Sequence, residues 1–261
     1  MNTVVIVGTG LLGSSFGLAV KQAGLAERVI GVSSAPVVEG ALAIGAIDEA
    51  MSLEEAAPLA DLTLLAQPIL RILSVFERLD AHVKPGSLVT DVGSTKAEIC
   101  AAAAKHLKRT KFVGGHPMAG KELRGPAAAD ASLFRNRPWI LTEAEPGLLR
   151  VIETIGARPV ILDASQHDQM VAYSSHLPQL LSTGLASYLD GRDLKSVAGP
   201  GIADMTRLAL SSYDLWEDIL DTNAKNVDEA LTGLIAHFTD MRKDLRANFE
   251  RGERFARKLR E

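Results

Sequence analysis

The sequence predicts a doubly wound α/β domain followed by an all-α domain, and three observations carry that prediction. Short apolar runs alternate with helical stretches from Thr3 to Leu162, the pattern of a mostly parallel sheet covered on both faces. The first run, Thr3-Val4-Val5-Ile6-Val7, passes directly into Gly8-Thr9-Gly10-Leu11-Leu12-Gly13 and then into helical apolar spacing from Ser14 to Ala23. After Leu162 no strand pattern remains.

The first run is β-branched throughout, which suits a strand buried on both faces. A GxGxxG motif that leaves a strand and opens a helix is the context a dinucleotide-binding turn requires. Gly8 allows the tight turn, Gly10 lets backbone approach a pyrophosphate, and Gly13 lets helix and strand pack closely. The helix N-terminus then offers unpaired N–H groups and a positive dipole end to phosphate. Gly8, Gly10, Leu11, Leu12 and Gly13 are therefore expected to hold the cofactor, against the alternative of a glycine-rich βα turn with no ligand. The expected organisation is a Rossmann-type dinucleotide-binding domain over 1–162 and a helical domain over 163–261.

The second strand is Arg28-Val29-Ile30-Gly31-Val32, followed by Ser33-Ser34-Ala35-Pro36. An NAD site usually carries a carboxylate there for the ribose hydroxyls. Two hydroxyls and no carboxylate favour NADP, although no arginine follows; Ser33 and Ser34 serve equally well as turn residues capping a helix from Val37 to Ile44. Ala60 to Ala66 reads as a strand ended by Gln67-Pro68, with a helix from Ile69 to His82. Leu88 to Val92 is the next strand; Ser94-Thr95 are expected to cap a helix from Lys96 to Leu107, with Glu98 in its first turn. Gln67, Pro68 and Gly93 fall at the carboxyl edge of the sheet and are expected to border the cofactor. Lys111-Phe112-Val113 is short and apolar and leads into Gly114-Gly115-His116-Pro117-Met118-Ala119-Gly120, which reads as a turn. Trp139 to Leu141 and Pro159 to Leu162 read as strands, separated by a helix from Gly147 to Ile155. Ser165 is expected to cap a helix from Gln166 towards Leu189, interrupted at Pro178. Gly199-Pro200-Gly201 breaks the chain, and helices are expected over Leu208–Leu220 and Val227–Phe255.

Among 261 residues, 47% are hydrophobic and 23% charged, as in a globular protein with a sizeable core. A net charge of −4 argues against a nucleic-acid partner. The basic residues near the C-terminus are interleaved with Asp240, Asp244, Glu250 and Glu253, the pattern of a solvated helix face. One cysteine, Cys100, excludes an internal disulfide and points to a buried thiol in a reducing compartment. No signal peptide, membrane span or metal-ligand cluster is apparent, so a cytoplasmic protein without a metal is expected.

Of six histidines, His82, His106 and His237 read as ordinary helix residues. His116 follows a strand at the edge where a nicotinamide would lie. A neutral imidazole there can accept a proton from a substrate hydroxyl while hydride leaves the same carbon. Ser94, on the turn after the preceding strand, can orient that imidazole or the hydroxyl. Each residue also has a purely structural reading: His116 bonded to backbone, Ser94 capping its helix.

Together, Gly8 to Gly13, Asp91-Val92-Gly93-Ser94-Thr95-Lys96, Gly114 to Gly120 and Ser175-His176-Leu177-Pro178 resemble the prephenate/arogenate dehydrogenase family of tyrosine biosynthesis. The resemblance runs from Val4 to about Asn223. It implies a homodimer formed through the helical domain, and oxidative decarboxylation of a cyclohexadiene acid with hydride transfer to NAD(P). It also implies that His116 accepts a hydrogen bond from the ring hydroxyl with Ser94 as partner, that Arg207 binds a substrate carboxylate, and that Trp216 lies near the site. His167-Asp168 and His176 are expected mainly to build the helical domain and the cleft. Gln179 stands where many prephenate-using members carry histidine, and Lys121 where threonine is common. Both are expected near the substrate side chain, which leaves prephenate and arogenate open. Neither a C-terminal regulatory domain nor an N-terminal mutase is expected.

Two other classes remain. One is an NADP-linked dehydrogenase of the β-hydroxyacid or imine-reducing kind, which usually relies on a donor from the helical domain. The other is a non-enzymatic dinucleotide-sensing dimer.

Overall fold

The structure, a computed structural model, describes residues 1–121 and 123–261. Strands β1 (Thr3–Val7), β2 (Arg28–Val32), β3 (Glu49–Ala50), β4 (Leu62–Leu65), β5 (Leu88–Asp91) and β6 (Lys111–Val113) form one parallel sheet in the order β3-β2-β1-β4-β5-β6. The order reverses at β1, so a crevice opens between the carboxyl ends of β1 and β4.

β1 explains why both faces must be covered. Val4 and Ile6 enter one apolar layer with Phe16, Val20 and Trp139, while Val5 and Val7 enter another with Ile72, Phe76 and Ile99. Helices α1 (Leu11–Gln22) and α2 (Ala35–Ala43) supply the first layer; the short α3 (Leu53–Ala56), α4 (Ile69–His82) and α5 (Ala97–His106) supply the second.

The Gly114–Gly120 segment departs from the turn expected for it. Gly115–Pro117 forms a strand, β7, antiparallel to β8 (Pro138–Leu141), with His116 opposite Ile140. Strand β9 (Arg158–Ile161) pairs parallel to β8, and α6 (Pro146–Thr154) joins the two. β7 is an edge strand, where Pro117 removes no ladder hydrogen bond that the sheet needs.

Two caps also differ. The Ser94 and Thr95 hydroxyls do not cap α5; Asp168 Oδ1 and Oδ2 accept from the Lys96 and Ala97 amides at 2.7 and 2.8 Å. Helix α7 (Ala164–Val171) is capped by Asp163, whose Oδ1 accepts from the Ser165 and Gln166 amides, both at 3.0 Å, two positions earlier than expected. Beyond α7 a π-helical turn, Ala172–His176, leads into α8 (Leu177–Leu189), whose first turn accommodates Pro178. Then come α9 (Pro200–Thr206), a 3₁₀ turn Arg207–Leu210, α10 (Tyr213–Thr222), α11 (Ala224–Met241) and α12 (Leu245–Lys258). The single helix expected over Val227–Phe255 is thus two. The chain breaks at Arg242–Asp244, where Asp244 accepts from the Ala247 amide at 3.0 Å and starts α12.

The described residues divide into two compact units. The first comprises Met1–Val171 and Ser211–Thr222, so α10 returns to the α/β body, where Ile219 is buried in the second apolar layer. The second comprises Ala172–Leu210 and Asn223–Glu261 and is all helical.

Candidate active site

The glycine turn has the shape a dinucleotide needs. Gly8 lies at φ +99°, and a Cβ there would stand 2.5 Å from the Ala66 carbonyl oxygen. A Cβ on Gly13 would overlap the Gly8 carbonyl. At Gly10, by contrast, a Cβ would meet open space. Gly10 is also the N-cap of α1 and provides no side-chain cap, so the first amides of the helix are left for another acceptor. Beside the turn, the Thr9 hydroxyl and the Gln67 side-chain oxygen are buried polar atoms with no hydrogen-bond partner. A closed turn, an uncapped helix start and unsatisfied polar atoms fit a bound pyrophosphate. Leu11 and Leu12 form the first turn of α1, Pro68 is the N-cap position of α4, and Gly93 follows β5. Ser33 and Ser34 are exposed after β2, and Ser34 occupies the N-cap of α2 without a side-chain hydrogen bond.

His116 projects from β7, half-buried. Its Nδ1 lies 2.9 Å from Nε2 of His167, and His167 Nδ1 lies 2.7 Å from Asp168 Oδ1. His167 and Asp168 are both buried. Both lie in the compact unit that also holds the sheet, and they run from the His116 ring to the start of α5. No spacing rule links residues 116 and 167; the only signal was a His-Asp pair following a capping aspartate.

Beneath His116 lies a buried ionic knot. Asp91, at the end of β5, accepts from the Gly115 amide at 2.9 Å and the Gly93 amide at 2.7 Å, and pairs with Lys96 Nζ. Both side chains of that pair are fully buried. The knot ties β7 and the Ser94 turn to one carboxylate. Thr95 Oγ1 bonds to Thr222 Oγ1 at 2.8 Å, which fastens the same turn to α10. Ser94 is half-buried on this turn. Trp216, on α10, packs against the second apolar layer of the α/β unit.

Lys121 pairs with Asp130 at 3.1 Å, and Asp130 is pulled down to about 2, chiefly by the Ser132 hydroxyl and amide. In the helical unit, Gln179 is buried, and its Nε2 donates to Thr183 Oγ1 at 3.1 Å and to the Leu208 carbonyl at 2.9 Å. It therefore braces the 3₁₀ turn that carries exposed Arg207.

A parallel sheet with a reversal at β1, a glycine turn into a helix start, and a histidine one strand beyond defines a dinucleotide-binding oxidoreductase architecture. Residues 16–160 match the family model described as prephenate dehydrogenase, nucleotide-binding domain, and residues 163–261 match prephenate dehydrogenase, dimerization domain. The prephenate dehydrogenase of Lactococcus lactis subsp. cremoris is 34% identical over 92% of this chain and 70% of its own length. The solved structure of the A. aeolicus prephenate dehydrogenase with hydroxyphenyl propionate and NAD+ is 28% identical with a TM-score of 0.88, covering 100% of this chain and 99% of that one. The Synechocystis arogenate dehydrogenase structure is 28% identical with a TM-score of 0.82, covering 99% and 98%. The chain belongs to the prephenate dehydrogenase family.

Proposed function

We propose that this chain is a homodimeric dehydrogenase that oxidatively decarboxylates prephenate or arogenate with a preference for NADP. The observation that carries the reading is His116, tied through Nδ1 on the strand next to the carboxyl edge of the sheet. A neutral imidazole oriented by a hydrogen bond to its ring can accept a proton from a substrate hydroxyl.

A bound oxidised nicotinamide supplies the hydride acceptor. His116 accepts the proton of the ring hydroxyl, and the Ser94 hydroxyl orients that group. Arg207 binds a substrate carboxylate through the fork of its guanidinium. Loss of carbon dioxide then leaves an aromatic ring. Trp216 and Lys121 border the substrate, and Gln179 acts through the Arg207 turn, because its amide group is already engaged there. Gln67, Pro68 and Gly93 border the cofactor. The absence of a carboxylate after β2 supports NADP, with Ser33 and Ser34 as donors to its 2′-phosphate. The dimer reading is supported by the matched dimerization domain and by the exposed apolar side chains of Ile235, Phe238, Phe249 and Phe255 on α11 and α12. A cytoplasmic location belongs to the same reading; among the described residues no helix is long and apolar enough to cross a membrane.

Purified protein is to be offered prephenate and arogenate, each with NAD and with NADP, while the absorbance of reduced nicotinamide is followed. Turnover of either acid is expected, faster with NADP. No turnover in any pairing, from folded protein that binds cofactor, would overturn the reading.

A further inference from the structure

The His116–His167–Asp168 chain has a direction, and the direction can be derived. The two oxygens of Asp168 accept from the Lys96 and Ala97 amides, so this carboxylate has only acceptor roles in the chain. His167 Nδ1, at 2.7 Å, must then be the donor to Asp168 Oδ1. A neutral imidazole that carries its proton on Nδ1 presents a lone pair at Nε2. With His167 neutral, that nitrogen, 2.9 Å from His116 Nδ1, is the acceptor and His116 Nδ1 the donor. The lone pair of His116 is thereby assigned to Nε2.

We propose that His167 and Asp168 are positioning residues for the proton transfer, and that they both set the tautomer of His116 and take up its charge. This rests on His116 being the proton acceptor, as read above. The substrate O–H bond breaks and a bond from His116 Nε2 to that proton forms. The His116 Nδ1–H bond then breaks as His167 Nε2 gains a proton. The positive charge comes to rest on His167, directly against the Asp168 carboxylate, in a buried site where such a pairing is strong. His116 returns to a neutral ring while still beside the substrate. The carboxylate is held in turn by the N-terminus of α5, whose dipole and amides favour its charge. A surface histidine would have no such second acceptor.

The tautomer is read directly by nitrogen NMR of protein labelled in its histidines, without substrate or cofactor. His116 signals are assigned by their loss in His116→Asn. The expected result is a proton on Nδ1 and none on Nε2; a proton on Nε2 would overturn the proposal. The kinetic arm uses two variants. His167→Leu removes the acceptor and is expected to lower kcat about 10²-fold, the low end for a proton-transfer group. KM and cofactor affinity are expected to hold, which a merely structural role would not spare. His167→Gln, whose side-chain oxygen can accept from His116 Nδ1, is expected to retain the Nδ1 proton on His116 and recover part of kcat. An unchanged kcat in both variants would overturn the relay. A wild-type chain inactive on both acids, yet with its His116 proton on Nδ1, would overturn the functional reading while supporting the tautomer assignment.

Discussion

Asp91 Oδ1 accepts the backbone N–H of Gly115 at 2.9 Å, so the strand that carries His116 hangs from the end of β5. The same carboxylate neutralises Lys96, which has no access to water. Removing it strands a buried ammonium and two amides. Asp91→Ala is expected to destabilise the protein by about 3–5 kcal/mol, measured by urea unfolding. Asp91→Asn combined with Lys96→Met removes both charges and is expected to cost less than Asp91→Ala alone; an equal or larger loss would show that ion pairing is not what the knot contributes.

His116→Asn keeps size and polarity but cannot take a proton. Its kcat is expected to fall about 10²- to 10⁴-fold, with cofactor affinity retained in a fluorescence titration. Near-normal turnover would remove His116 from the chemistry and favour a donor from the helical domain.

Arg207→Ala deletes the proposed carboxylate partner. A charged hydrogen bond is worth roughly 1.5–3 kcal/mol, so KM is expected to rise roughly 10- to 100-fold. Arg207→Lys should recover only part, since an ammonium lacks the planar fork. An unchanged KM in the alanine variant would take Arg207 out of the site.

Burial pushes the Cys100 thiol up to about 11, against a smaller opposing effect of Lys96. At pH 8 its thiolate fraction is on the order of 10⁻³, so alkylation of the folded protein should be slow and should quicken about tenfold per pH unit up to pH 10. The unfolded thiol ionises from its ordinary 9.0, so the folded state loses stability as pH rises from 9.0 towards about 11. Rapid alkylation of folded protein at pH 8 would contradict this.

Much of this arrangement is legible from local pattern. The β1–Gly8–α1 unit could be read because a buried strand, three spaced glycines and a helix start all lie within one short stretch. His116 stood out by its glycine and proline neighbours, yet its strand pairing did not, because the partner, β8, contributes nothing to the local sequence around it. The α5 cap is not legible for a related reason: Ser94 and Thr95 have the right chemistry at the right place, but a carboxylate 72 residues from Lys96 satisfies the amides instead. His167 was invisible as a partner of His116 because the contact spans 51 residues. Single-residue chemistry survives in a sequence; pairings across the fold do not.

The return of α10 to the α/β body bears on how the protein is made. Ile219 fills the layer beneath α4, and Thr222 holds the turn after β5. Both are synthesised after the whole of α8 and α9. The nucleotide-binding unit therefore cannot be completed on the ribosome as soon as its last strand emerges. A nascent chain released at Val171 would leave Thr95 without its Thr222 partner and an apolar surface uncovered on α4, a state suited to chaperone capture. Closing that surface waits for a segment encoded some fifty codons further on.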